Sequence, residues 1–158
     1  MSAQKITRIV AVAVVASFAA LTPAPSIGVA SVSASAKKGD LHLTKECPPS
    51  TYTGAAGDFC TITFSNVAEI AVGSKIFYDQ AANTPTGLLD SNIVLVVGTG
   101  DWAVGRCTLD LMTFLGVCTL SDGTGPLAGF HARVDVSYVG GPSFAWDGTY
   151  SFTRPGDR

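Results

Sequence analysis

Histidine occurs only twice in this chain, as His42 and His131, and charged side chains make up 14% of it, well below the share in an ordinary soluble domain. So few ligating and proton-transferring groups narrow the chemistry at once. Neither His-Glu-x-x-His nor Gly-x-Ser-x-Gly occurs, which leaves a zinc peptidase or a serine hydrolase of known pattern without its motif. There is no Cys-x-x-Cys pair, so structural zinc lacks its usual ligand spacing, and no metal is expected. Lys and Arg never gather into a basic run interleaved with aromatics, which argues against a nucleic-acid partner. Glycoside hydrolysis needs two facing carboxylates. Asp79, Asp90, Asp101, Asp110 and Asp147 stand apart in the chain, and Glu69 has no visible partner.

A long apolar run is missing as well. Lys5 and Arg8 precede Ile9 to Leu21, which breaks at Thr22-Pro23-Ala24-Pro25, short of the ~20 residues a spanning helix needs. A basic start, an apolar middle and the small residues of Ala34-Ser35-Ala36 read as an export signal. Cleavage is expected after Ala36, with Ala30 as the competing site. The expectation is a signal peptide over residues 1–36, no membrane association after cleavage, and one secreted domain over residues 37–158. Removing Lys5 and Arg8 from ten Lys and Arg leaves eight against twelve Asp and Glu, a formal charge of −4.

All four cysteines fall in the exported part, and an even count in such a chain reads as two bridges. Of the three pairings, chain order favours Cys47 with Cys60 and Cys107 with Cys118. The second pair flanks a short turn near Met112 and Thr113, so its bridge would tie neighbouring strands.

Strand-like runs follow at short intervals: 40–45 (weak), 59–65, 74–80, 88–97, 102–111, 115–121, 127–138 and 143–152, separated by Pro, Gly, Asn and Asp clusters. This pattern predicts an all-β fold, an eight-stranded antiparallel β-barrel, with a Greek-key β-sandwich as the alternative. Helix is expected to amount to little more than a turn at Ala68 to Val72. The chain is organised around Cys118 to Ser137, where a Gly-rich corner (Asp122, Gly123, Thr124, Gly125, Pro126) joins a short strand to a long one. Asp-Gly is a strong hairpin signal because Gly accepts positive φ. Gly129 suggests a bulge or a close backbone approach, the devices that curve a sheet into a barrel. Val97-Gly98-Thr99-Gly100 repeats the corner. Gly-x-Gly after a strand can begin a dinucleotide or phosphate loop, but neither copy opens an amphipathic helix or is followed by a P-loop Lys, so no cofactor is expected.

The run G-T-G-P-L-A-G-F-H-A-R-V-D-V (Gly123 to Val136) resembles the Gly-rich corner of the allene oxide cyclase and dirigent barrel families, and Phe144 to Phe152 resembles their last barrel strand. Leu127 stands where those families usually carry an aromatic, and Phe130 and His131 replace small residues. The resemblance spans Phe59 to Phe152. It implies a barrel that confines a small apolar molecule and guides its cyclisation or coupling, with few catalytic groups and as a homo-oligomer. It transfers no catalytic residue.

Two faces compete for a functional role. His131, Arg133 and Asp135 alternate on one side of a strand, where positions two apart are nearly 7 Å from each other, and a solvated outer face explains them. On the closing strand Phe144, Trp146, Tyr150 and Phe152 share the other side. They fill the barrel or line a ligand pocket in its mouth, which Tyr78 would join if Ile76 and Tyr78 point inward. The expected pocket is therefore Tyr78, Phe144, Trp146 and Tyr150, binding a small apolar ligand. Whether the chain is an enzyme stays open; if it is, the resemblance implies an isomerase- or cyclase-like activity. The rival reading is a non-catalytic exported protein that acts through its surface.

Overall fold

The computed structural model describes residues 37–153, and the expected leader over residues 1–36 lies outside them. Eight antiparallel strands form a closed barrel in which each strand pairs with its sequence neighbours and the last returns to the first. In chain order they are β1 Lys38–Glu46, β2 Phe59–Ser65, β3 Lys75–Tyr78, β4 Leu88–Val97, β5 Asp101–Asp110, β6 Gly116–Gly123, β7 Phe130–Gly140 and β8 Ser143–Phe152. The up-and-down order replaces the Greek-key alternative. Closure rests on β1 and β8, paired without interruption from Lys38 with Ser151 to Glu46 with Ser143.

Period-two alternation builds the interior. Leu41 and Leu43 of β1, Ile76 and Tyr78 of β3, Leu89, Ile93 and Leu95 of β4, and Phe130, Val134 and Val136 of β7 are all buried. Val, Ile and aromatic side chains suit such strands because they pack well on a pleated surface. One end of the barrel is filled. Leu127 of the Gly125–Leu127 3-10 turn, Phe130, and Val67 and Ile70 of the β2–β3 connection are each at most 1% exposed.

The central corner differs in detail from a two-residue hairpin. β6 continues to Gly123, the single 3-10 turn among the described residues follows, and β7 starts only at Phe130. Pro126 suits this turn because its fixed φ fits the start of a helical segment and its missing N–H is not needed there. No helix forms at Ala68 to Val72, where turns and bends carry the chain. Asn66 and Ser65 contacts help hold that connection instead: Asn66 donates to the His42 and Asp40 carbonyls, and Val67 N–H donates to Ser65 Oγ. Gly129 has φ +73°, and a Cβ there would strike the Thr153 carbonyl oxygen, so the approach is close and only Gly fits it.

Both bridges form, Cys47 to Cys60 and Cys107 to Cys118. The second joins residues directly opposite on β5 and β6, and both of its cysteines face the interior.

Candidate ligand-binding site

At the mouth where β1 ends and β8 begins, the interior is not filled. A half-enclosed cavity of about 70 Å³ is lined by Lys45, Tyr52, Tyr78, Leu89, Leu109, Leu111, Phe114, Val136, Phe144 and the Cys107–Cys118 bridge. Lys45 is its one charged lining group. It ends the inward series Leu41, Leu43, Lys45 and is 3% exposed. Its Nζ hydrogen-bonds the Tyr78 hydroxyl and lies 4.5 Å from the Trp146 ring centroid, 5.1 Å from that of Tyr78 and 6.0 Å from that of Phe144.

No carboxylate among the described residues forms an ion pair with Lys45. Two effects then oppose each other. Aromatic faces attract a desolvated ammonium by about 2 kcal/mol, whereas removing it from water costs several kcal/mol even after relaxation. Desolvation wins, and burial pulls the Lys45 ammonium down from 10.5 to about 7. Burial works the other way on the two phenols: it pushes Tyr78 up, reinforced by Tyr52, and it pushes Tyr52 up, with the nearby Asp58 charge adding to it. At neutral pH the cavity thus holds an amine that is readily neutral beside phenols that stay protonated.

Two loops present the mouth's aromatic wall. Asp58 Oδ2 accepts from the N–H groups of Thr53 and Ala55 and from Thr53 Oγ1, fixing the loop that packs Tyr52 edge-on against Tyr78, 5.2 Å between centroids. These donors hold the Asp58 carboxyl below its usual range. Across the mouth, Asp110 Oδ1 accepts from the N–H groups of Met112 and Thr113, and those bonds lower its pKa in the same way. The turn so fixed carries Phe114 at φ +55°, where its ring meets Tyr138 at 5.4 Å and Phe144 at 6.2 Å.

Of the four residues expected in the pocket, Tyr78 and Phe144 line it. Trp146 lies one layer beneath, fully buried, its Nε1 without a hydrogen-bond partner among the described residues. Tyr150 is not there. It pairs with Gly39 and Ala132 near the opposite end and packs with Phe130 and Phe152. All four project from the inner face, but Tyr150 lies six positions beyond Phe144 along β8, so the two occupy different depths of the barrel. Lys45, Tyr52 and Phe114 are absent from the expected set. The signal for Lys45 was its place in the alternation, two residues after Leu43 on an apolar face; Tyr52 and Phe114 sit on loops and carried none.

His131, Arg133 and Asp135 lie on the outer face, half-exposed or exposed. There the strand pairing places Asp147 between Asp135 on β7 and His42 on β1, and His42 Nδ1 pairs with Asp147 Oδ1. Two carboxylates distant in sequence are neighbours after all, but in solvent. A wider depression of about 710 Å³ on this flank is lined by Lys38, Asp40, His131, Arg133 and Thr149. Tyr150, one of the expected pocket residues, borders this depression, but the depression is open and contains no buried ionisable group, so the smaller enclosed cavity is the better candidate site. Comparison with protein-family models, with curated proteins and with solved structures finds no match to this chain.

Proposed function

We propose that this chain is an exported barrel that binds a small, largely apolar molecule in the Lys45 mouth. The observation that carries this reading is the cavity itself: apolar walls around one amine and two phenols, which is the make-up of a site that orients a small ligand. Its size limits the enclosed part to a few heavy atoms, so a longer ligand would leave its tail along the Phe114, Tyr138 and Phe144 rings. Export is supported by the two disulfides, which persist in oxidising compartments. Among the described residues no helix is long and apolar enough to cross a membrane. The allene oxide cyclase and dirigent resemblance enters the proposal as a mode of action, in which confinement rather than a set of catalytic groups directs a reaction.

Hexanol is a suitable neutral probe. In nuclear magnetic resonance titrations it is expected to shift the signals of Leu89, Leu109 and Val136 and to leave those of His131, Arg133 and Asp135 in place. Leu109→Trp, which fills the cavity, is expected to abolish the shifts. Shifts confined to the outer face would overturn the reading.

A second reading has its own observation. Met112, Leu115 and Val139 are 82%, 58% and 57% exposed at the turns of the same end, and exposed apolar groups of this kind mark contact surfaces. In that case the chain acts by docking, with a second copy of itself as one partner. Sedimentation velocity of Leu115→Ser against the unaltered protein separates the two, because a ligand site deeper in the mouth is indifferent to that change.

A further inference from the structure

We propose that Lys45 is a carbonyl-capturing amine: small unbranched aldehydes that enter the mouth cavity condense with its Nζ to form an imine. The inference rests on the reading of that cavity as a ligand site and adds the chemical class of the ligand.

Position comes first. Lys45 lines the cavity yet is 3% exposed, so a reagent reaches its amine only through the mouth. The absence of an ion-pair partner among the described residues means that no anion holds the amine in its charged form. With burial drawing the pKa to about 7, about half the molecules carry the neutral nucleophile at neutral pH, against about one in three thousand for an ordinary lysine. An apolar pocket is the setting in which lysine amines become Schiff-base formers.

Tyr78 completes the chemistry. Its hydroxyl is hydrogen-bonded to Nζ, and burial keeps the phenol protonated. The amine lone pair attacks the carbonyl carbon while the C=O π pair moves to oxygen. One N–H proton reaches that oxygen through the Tyr78 hydroxyl, giving a carbinolamine. The nitrogen lone pair then forms the C=N bond as the C–O bond breaks, and the second N–H proton leaves with the hydroxyl as water. Amine and aldehyde become imine and water, nothing is oxidised or reduced, and Tyr78 ends as it began.

The alkyl chain has a place to lie, since Leu109 and Phe114 border the cavity and the Phe114 ring continues to Tyr138 outside it. A charged carbonyl compound would meet the same apolar walls without a partner, and the small enclosed volume leaves little room for a branched one.

The test uses the full chain with both bridges intact, incubated at neutral pH with hexanal and cyanoborohydride and mapped by peptide mass. One hexyl group on Lys45 is expected, added on the order of 100-fold faster than on Lys37, Lys38 or Lys75, since the more abundant neutral amine is partly offset by lower basicity. Lys45→Met, with its fold checked by thermal melting, should lose this product. Tyr78→Phe should keep the product but slow its formation about tenfold and flatten the pH profile of capture. Should Lys45→Met not fold, Leu109→Trp serves instead: Lys45 should then escape labelling while Lys38 and Lys75 react as before. Equal labelling of Lys45 and the surface lysines overturns the proposal, as does undiminished labelling of Lys45 behind the Leu109→Trp plug. Hexanol shifts without capture of hexanal overturn this inference and leave the cavity reading standing; absence of both overturns both.

Discussion

Lys45 is the interior group whose protonation the barrel resists most. In the unfolded chain its ammonium titrates near 10.5 and in the barrel near 7. Between those values the unfolded chain binds more protons than the native one, so stability rises with pH across that window. The full shift corresponds to roughly 5 kcal/mol. Below about pH 7 both states carry the proton and this contribution stays at its minimum. Tyr78 acts in the opposite sense at the alkaline end: above about pH 10 the unfolded phenol ionises while the buried one does not, and stability falls. Urea denaturation from about pH 6 to 11 should therefore give a maximum near pH 10. In Lys45→Met the rising limb should vanish and stability at neutral pH should increase, because an apolar side chain replaces a buried, unpaired amine. Trp146, fully buried beneath it, is a packing residue, and Trp146→Ala should cost about 3 to 5 kcal/mol in the same assay.

Among the elements, β8 shows how the barrel curves. Gly148 sits in its middle on the inner side, and a Cβ there would collide with the Arg133 carbonyl oxygen and the Val134 Cα of β7. The obstacle is backbone held in a ladder on both sides, which cannot give way as a flexible side chain does. Gly148→Ala is expected to lose roughly 3 kcal/mol, with an unchanged denaturant slope if the barrel stays closed. A loss within a few tenths of a kcal/mol would mean that β8 shifts at little cost. β1 is the second telling element. Its sequence reads as a weak strand, yet all nine of its residues pair with β8, because each backbone group finds a partner on the neighbouring strand whatever its side chain.

At the scale of the whole molecule, local hairpins are closed by one distant pairing. β1 and β8 are joined across nearly the full described length, and contacts between residues so far apart in sequence make folding slow, in the millisecond-to-second range. The bridges cross short loops, with sequence separations of 13 and 11 residues, so each is worth about 3 kcal/mol in the chain-entropy model. Replacing Cys107 and Cys118 together by Ala should lower stability by about that amount and keep the far-ultraviolet circular dichroism of the barrel. A loss of that spectrum would show that the β5–β6 bridge is needed for closure itself.

The strand count, the inner and outer faces, the Gly-rich corners and the cysteine pairing were legible in the chain, because each depends on neighbours within a hairpin. The spans 59–65, 88–97 and 143–152 coincide with β2, β4 and β8, since period-two alternation and turn chemistry act over a few residues. Which end of the barrel is open and which is filled was not legible. Phe144 and Tyr150 share a face in sequence, but the register of β8 on β1 and β7 sends one to the open mouth and the other to the filled end. The same register sets Lys45 opposite Phe144 and brings Tyr78 to its amine. Closure alone puts a lysine from the first strand, a tyrosine from the third and a phenylalanine from the last around one cavity, because only a sheet that returns to its starting strand has an interior for them to share.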